Sequence, residues 1–213
     1  MCSVTERINM IKQPWGGYIK PSHFEVHKFF DVHFLNEEES ISPRIVGMVV
    51  EYLTRFAMGA ELSDAFKISC MGAKVAEKIH KNKNDIKKAN KLLSQIKRID
   101  EKSIINACKL VTYDVWYRNP SVAMCTKGAN EIKPDEKTVQ NIKIMIERSL
   151  LFWEKYGPII KEGFSFEPNG YTKTICAGDG DFLTLDTIWD FKVSKARPTS
   201  KHTLQLLIYW IMK

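Results

Sequence analysis

The chain has 213 residues, of which 44% are apolar, and it carries a formal net charge of +7. This length and apolar content are enough to bury a substantial core, so we expect a single domain over residues 1–213. No apolar run approaches the ~20 residues that a membrane span needs, which favours a cytoplasmic protein with no membrane partner. The five cysteines are scattered and form no Cys-x-x-Cys pair, so we expect free buried thiols.

Two parts of the chain differ in their predicted secondary structure. Residues 1–157 are mostly helical, whereas residues 158–213 hold short strands from Phe164 onward and close in a helix. Apolar spacing and flanking Pro, Asp and Gly residues predict the helices of the first part. They cover residues 43–59, 73–95, 103–117 and 134–157.

Residues 74–102 form a basic band, with ten Lys or Arg residues against four Asp or Glu residues and a local charge of +6. Such a band can follow the phosphate backbone of a nucleic acid and release counterions on binding. The alternative is an ordinary solvated helix face. The predicted nucleic-acid contacts in the band are Lys81, Lys83, Lys87 and Lys88.

Asp181 and Asp190 lie within a stretch rich in strand-forming residues, and Lys192 follows. A hairpin with its two-residue tip at Leu185-Asp186 would place the two aspartates opposite each other, with Lys192 on the same face. A longer tip would change which residues face each other. Opposed carboxylates repel unless a cation or a proton intervenes, and their oxygens suit Mg²⁺ or Mn²⁺. The pattern therefore predicts metal-assisted hydrolysis. The opposite face would carry Phe182, Trp189, Phe191 and Val193.

An acid-x-Lys triplet alone is weak evidence for a catalytic site, because the chain holds four other copies in polar stretches. Only the copy at Asp190 lies among aromatic and β-branched residues, with a second acid upstream and a helix downstream. The three motifs, in chain order, are Gly178-x-x-Asp181, Asp190-Phe191-Lys192 and Gln205-x-x-x-Tyr209. In this order and spacing they resemble the PD-(D/E)XK nuclease superfamily, and within it the RecB-like exonucleases.

The resemblance is strongest over residues 163–213, about the last quarter of the chain. Upstream it rests on Gly47-x-x-x-Glu51 in the first predicted helix. RecB-like enzymes often place a His at the position of Glu51, and other branches of the superfamily use Glu there.

The resemblance implies an α/β fold with a restriction-endonuclease-like core and a large helical N-terminal part. The core would be a small mixed sheet of residues 171–195, packed by the helices of residues 43–58 and 201–213. The remaining helices would form one wall of a cleft.

The resemblance also implies roles for individual residues. Asp181 and Asp190, with the main-chain carbonyl of Phe191 and with Glu51, would hold one or two Mg²⁺ or Mn²⁺ ions. Lys192 would orient or deprotonate the attacking water. Gln205 and Tyr209, the remaining residues of the site, would contact the DNA strand or brace the site.

The function implied is a metal-dependent DNA exonuclease of recombination, repair, phage or plasmid biology. An endonuclease of the same superfamily and a DNA-binding module without cleavage are the alternatives. DNA is the expected partner, and the sequence leaves protein partners unknown.

Each motif also has a purely structural interpretation. Asp181 can be a turn acid, Asp190 and Lys192 a surface ion pair, and Gln205 and Tyr209 the polar edge of a core helix. The remaining candidates are predicted to be structural: Asp179 and Asp186 as turn residues, and His23 and His27, despite their zinc-like spacing, as surface residues.

The C-terminal end also bears on the resemblance. The sequence stops at Lys213 within the last predicted helix, where the superfamily core usually adds a strand and a helix. We therefore expect a truncated chain or a minimal member. Relatives with an iron–sulfur cluster carry three cysteines beyond this point, and we predict no cluster here.

Overall fold

A computed structural model describes residues 2–28, 31–81, 84–194 and 196–213. The chain divides into two compact units. The helical unit is Val32–Phe152, and the sheet unit combines Met1–Asp31 with Trp153–Lys213. The first 31 residues therefore belong with the C-terminal strands, whereas the sequence had grouped them with the helical part. The single domain over residues 1–213 stays a prediction.

The strands and helices are named here in chain order. They are β1 (Cys2–Ser3), α1 (Val4–Met10), α2 (Pro43–Ala57), α3 (Leu62–Ala65), α4 (Lys67–His80), α5 (Asp85–Ser94), α6 (Glu101–Leu110), α7 (Asp114–Arg118), α8 (Pro120–Ala123), α9 (Glu136–Tyr156), β2 (Lys161–Ser165), β3 (Ile175–Ala177), β4 (Asp179–Leu183), β5 (Ile188–Trp189) and α10 (Ser200–Met212). Single 3₁₀ turns lie at Pro21–His23, Val111–Tyr113 and Ala129–Glu131.

The predicted helices at residues 43–59 and 134–157, and the closing helix, are confirmed as α2, α9 and α10. The prediction of one helix over residues 73–95 is wrong. Two helices, α4 and α5, replace it. Between them the backbone is left-handed at Lys81, with φ of +46°, and at Asn84, with φ of +55°. The predicted helix at residues 103–117 is α6, a 3₁₀ turn and α7.

Side-chain contacts stabilise the corner between α4 and α5. The Glu77 carboxylate accepts a hydrogen bond of 3.0 Å from the main-chain N–H of Ile86 in the first turn of α5. Asp85 is only 6% exposed, and its two oxygens lie 2.8 Å from His80 Nδ1 and 3.1 Å from the Tyr113 hydroxyl. These partners offset the cost of burying the Asp85 carboxylate.

A second buried carboxylate, Asp114, links three helices of the helical unit. It accepts hydrogen bonds from the Tyr52 hydroxyl on α2, at 2.6 Å, and from the Ser69 hydroxyl on α4. Burial raises the pKa of Asp114 above its usual value, and the two hydrogen bonds oppose that shift. Asp114 therefore has a structural role in the core.

The strands form two small sheets in the sheet unit. Strands β1 and β3 pair in parallel, and an antiparallel sheet has the order β2-β4-β5. The prediction of a single mixed sheet over residues 171–195 is therefore wrong in detail. The C-terminal strands begin at Lys161, slightly before the predicted change to strands at Phe164. The α/β class, with small sheets flanked by helices, is confirmed, and helices make up 54% of the described residues.

The core of the sheet unit joins α1 and α10 to the strands. Its buried side chains are Val4, Ile8, Phe164, Phe166, Ile175, Leu204, Ile208, Tyr209 and Met212. This packing fixes α10, and hence the side chains of its inner face, against the sheet. No described helix has the length and hydrophobicity of a membrane-spanning segment. All five cysteines are free, as predicted, but only Cys108 is fully buried.

Candidate active site

The hairpin of β4 and β5 has the predicted register. Phe182 pairs with Trp189, and Leu183 pairs with Ile188. The main-chain N–H of Thr184 donates to the Thr187 carbonyl at 3.0 Å, which leaves a two-residue tip at positions 185 and 186. The same register places Asp181 opposite Asp190, immediately after the last paired residue of β5.

Aromatic side chains anchor the hairpin through its apolar face. Phe182 is fully buried, and its ring centroid lies 4.8 Å from that of Trp153. Trp189 packs edge-to-face against Trp153 at 5.6 Å and donates its indole N–H to the Thr184 hydroxyl at 3.1 Å. Because side chains alternate along a strand, burial of this face turns Asp181 and Asp190 to the other face.

Lys192 joins the two carboxylates on that other face. Its Nζ lies 2.6 Å from Asp190 Oδ1 and 4.0 Å from Asp181 Oδ2. The Asp190 side chain is 4% exposed, that of Asp181 is 20% exposed and that of Lys192 is 44% exposed. The ammonium group thus compensates two poorly solvated carboxylates from the solvent side.

Main-chain groups of Phe191 complete this cluster. The Phe191 N–H donates to Asp181 Oδ2 at 2.6 Å, which fixes the orientation of that carboxylate. The Phe191 carbonyl oxygen accepts a hydrogen bond of 3.4 Å from Lys192 Nζ. A single ammonium group therefore lies beside all three oxygen donors that the sequence motif predicts.

Gln205 and Tyr209 lie one turn apart on α10 and contact each other. The Gln205 amide donates to the Tyr209 hydroxyl oxygen at 2.9 Å. Burial, together with the negative charges of Asp181, Asp190 and Asp179, raises the pKa of Tyr209 to about 12, and the hydrogen bond from Gln205 opposes this shift. The phenol is therefore protonated at neutral pH and within electrostatic range of the acids. Its own proton can be donated to an anionic group.

Gly178, the first residue of its motif, is required by close packing. A Cβ at this position would lie 2.6 Å from Val4 Cγ2 and 3.9 Å from Tyr209 Cε1. The Gly178 carbonyl accepts a hydrogen bond of 3.0 Å from the Tyr171 hydroxyl. The sequence motif contained this glycine, but the helix α1 that approaches it was not predicted.

Glu51 lies on α2 of the helical unit, where Arg55 Nη2 is 2.5 Å from its Oε1. Its side chain is 21% exposed. An ion pair at this i, i+4 spacing is a structural role that needs no metal. The part of Glu51 in a metal site stays a prediction.

The residues predicted to be structural have mixed outcomes. Asp186 lies at the hairpin tip and accepts a hydrogen bond of 2.9 Å from the Thr187 hydroxyl, as predicted for a turn residue. Asp179 was predicted in a turn, but it is the first residue of β4 and pairs with Ser165. His23 and His27 are exposed, as predicted, and only His23 lies in a 3₁₀ turn.

The oxygen donors of the site fit a hard divalent cation. Asp181, Asp190 and the Phe191 carbonyl surround one positive group, and Mg²⁺ is commonly held by one or two carboxylates together with substrate phosphates. Among the described residues, no group of three or more His, Cys, Asp and Glu side chains could hold a metal. The two carboxylates are therefore too few for a closed structural metal site of four protein ligands.

The basic band is exposed, and most of its acids have local partners. Every Lys and Arg of the band is exposed where the structure describes it, and Lys83 lies outside the described residues. Glu77 and Asp85 hold the corner between α4 and α5. Asp100 caps α6, and hydrogen bonds from Arg98 and Ser103 lower its pKa to about 2.

No family model, curated protein or solved structure matches this chain. The family resemblance therefore remains a prediction from the three sequence motifs.

Proposed function

We propose that this protein is a metal-dependent DNA exonuclease, with its active site on the β4–β5 hairpin and α10. The observation that carries the proposal is the position of Lys192 Nζ, within 4.0 Å of both Asp181 and Asp190. A surface ion pair would account for one of these contacts, but not for two carboxylates turned to one ammonium group. We further propose that the sheet β2-β4-β5 and α10 form a restriction-endonuclease-like core.

Asp181, Asp190 and the carbonyl of Phe191 would hold Mg²⁺ or Mn²⁺. When bound, such an ion acts as a Lewis acid toward a phosphodiester. The protein contributes a fixed donor arrangement, because the Phe191 N–H orients the Asp181 carboxylate at 2.6 Å. The burial of Asp190 limits the rotation of its side chain and keeps its oxygens directed at the same point.

Lys192 would act on the phosphate and on the attacking water. With 44% of its side chain exposed, its ammonium group can reach both the aspartates and a bound strand. A positive group fixed at that position stabilises the negative charge that develops on the phosphate oxygens. Lys192 can also orient the attacking water by donating a hydrogen bond to it.

Tyr209 and Gln205 would position the DNA strand beside this cluster. The raised pKa of Tyr209 keeps its hydroxyl protonated, so the hydroxyl can donate a hydrogen bond to a phosphate oxygen. The amide of Gln205, which donates to the same hydroxyl oxygen, fixes the orientation of the phenol. We assign Tyr209 to substrate contact and Gln205 to positioning.

An assay on linear and closed circular DNA tests the proposal. We expect linear duplex DNA to be degraded progressively to short products with Mg²⁺ or Mn²⁺, whereas covalently closed circles survive. EDTA should stop the reaction if the oxygen donors act through a divalent ion. The products are measured by gel electrophoresis over a time course.

The other outcomes of this assay separate the alternatives. Rapid linearisation of the closed circle at low enzyme concentration would identify an endonuclease with the same site. A folded protein that binds DNA but cleaves neither DNA nor RNA with either metal would instead be a binding module. In that case the nuclease proposal fails.

The basic band has its own prediction, because lysines that bind phosphates release counterions. The variant with Lys81, Lys87 and Lys88 all changed to Gln should bind every DNA sequence more weakly. Its salt dependence, log Kd against log salt concentration, should flatten by about 0.7–0.9 for each phosphate that is no longer neutralised. Fluorescence anisotropy in EDTA measures both quantities without cleavage.

A control with the same change in charge comes from the same unit. Lys133, Lys137 and Lys143 are exposed and lie outside the band, so changing all three to Gln also removes three positive charges. We expect a smaller effect on the slope. If the two triple variants and the unaltered protein have equal slopes, the basic band is an ordinary solvated helix face and does not bind phosphates.

A further inference from the structure

The segment of residues 11–20, between α1 and the first 3₁₀ turn, exposes two large aromatic side chains. Trp15 is 91% exposed and Tyr18 is 57% exposed. Single exposed apolar residues are common on proteins, but two aromatic residues three positions apart in one loop form a local surface. We call this segment the aromatic loop.

The aromatic loop is fastened to the first turns of α10. Gly17 has a φ of +92°, and a Cβ there would lie 2.6 Å from the Cβ of Ser200. The Thr203 hydroxyl donates to the carbonyl of Ile19 at 2.6 Å, and the Gly17 N–H donates to the Pro14 carbonyl at 2.9 Å. The backbone is therefore anchored while Trp15 projects into solvent.

The same helix carries both the anchor of the loop and part of the candidate active site. Ser200 and Thr203 contact the loop, and Gln205 and Tyr209 follow on α10. All these residues belong to the sheet unit. An α-helix rises 1.5 Å per residue, so Thr203 and Tyr209 are about 9 Å apart along its axis.

The two segments of the chain that meet at the loop contain basic residues and no acidic ones. Residues 7–24 and 191–213 contain no Asp or Glu, and these are the two segments that meet where the loop contacts α10. Lys20 Nζ lies 5.5 Å from the centroid of the Trp15 ring, and Lys12 and Arg197 are exposed. These two segments therefore combine aromatic faces with positive charge and contain no Asp or Glu side chain.

We propose that Trp15 and Tyr18 stack on the bases of single-stranded DNA and guide a strand end toward the active site. This inference deepens the proposed nuclease function and rests on it for the purpose of the strand. Stacking on aromatic rings tolerates any base sequence, and the cations hold the backbone. Paired bases in a duplex do not offer their faces, so single-stranded DNA is the ligand that fits.

Binding in EDTA tests the inference without cleavage. The probe is a fluorescently labelled oligothymidylate, compared by anisotropy with a blunt duplex of the same length. Trp15→Ala and Tyr18→Ala should each weaken single-strand binding about 10-fold, and the double variant should weaken it further. Trp15→Phe retains an aromatic face and should bind nearly as well as the unaltered protein.

A matched control uses another exposed tryptophan of the sheet unit. Trp210 is 73% exposed on the last turn of α10, and Trp210→Ala should leave single-strand binding unchanged. Circular dichroism melting verifies that each variant is folded. Duplex binding should change little in any of these variants, because it does not depend on stacking.

Several results would overturn the inference. The first is that the double variant binds the oligonucleotide as tightly as the unaltered protein does. The second is that the variants lose the same affinity for the single strand and for the duplex. The third is that the unaltered protein does not bind single strands. A labelled oligouridylate bound much more tightly than the DNA probe would assign the surface to RNA and reject the DNA ligand. Because the binding assay contains no metal, a failure of the stacking proposal can be distinguished from a failure of the nuclease proposal.

Discussion

Replacing Asp190 by alanine is expected to reduce cleavage of linear DNA below detection, with DNA binding in EDTA largely unchanged. The Asp190 carboxylate is 4% exposed and lies 2.6 Å from Lys192 Nζ, so its removal takes away an oxygen donor that no solvent-exposed side chain can replace in the same position. Asp181→Ala should have the same effect, because Asp181 supplies the second carboxylate. Initial rates at increasing Mn²⁺ concentration measure both variants.

The hairpin itself provides the control for these variants. Asp186 lies at the tip, is exposed, and accepts a hydrogen bond from the adjacent Thr187. Asp186→Ala should therefore retain full activity although it removes an acid only four or five positions away. Thermal melting of all three variants checks the fold. Full activity of Asp190→Ala or Asp181→Ala at saturating Mn²⁺ would contradict the assignment of the site.

The geometry of the hairpin could be predicted because two local constraints agree. Alternating apolar residues specify which face of the hairpin is buried, and a two-residue tip sets the pairing. Phe182 and Trp189 therefore pair as expected, and the acids fall on the opposite face. The helices α2, α9 and α10 were predictable for a similar reason, since their apolar periodicity is long and regular.

The break between α4 and α5 could not be predicted from local signals. Left-handed backbone is usually marked by glycine, whereas here Lys81 and Asn84 adopt it. The corner is stabilised by His80 and Tyr113, which both contact Asp85. Tyr113 lies 28 positions from Asp85 in the sequence, and the spacing of apolar residues cannot predict such a contact.

The part of the candidate site around Gly178 could not be predicted either, because its neighbours come from the other end of the chain. Strand β1 has only two residues, and Cys2 pairs with Ile175 near the other end of the chain. The helix α1 that follows explains the glycine at position 178, because Val4 leaves no room for a Cβ. The aromatic loop was missed for the same reason, as its anchor at Ser200 and Thr203 is visible only in the fold.

Lys192→Ala is expected to slow the chemical step about 10²–10³-fold, the reduction typical of removing one group that stabilises developing charge. The metal requirement should remain nearly unchanged, because the carboxylates of Asp181 and Asp190 and the carbonyl of Phe191 are retained. Single-turnover cleavage at several Mg²⁺ concentrations separates the two effects, since the maximal rate reports the chemistry and the midpoint reports metal affinity.

Lys192→Arg is the informative companion, since it keeps the positive charge but replaces a compact ammonium by a planar guanidinium. Nζ lies 2.6 Å from Asp190 and 4.0 Å from Asp181, a spacing set by a single nitrogen, so we expect arginine to restore only part of the rate. Full rescue by arginine would mean that charge alone is needed at this position. An unchanged maximal rate in Lys192→Ala would exclude Lys192 from the chemistry. A defect that higher Mg²⁺ repairs would instead show that Lys192 only orients the carboxylates, and the role proposed for it in the transition state would be wrong.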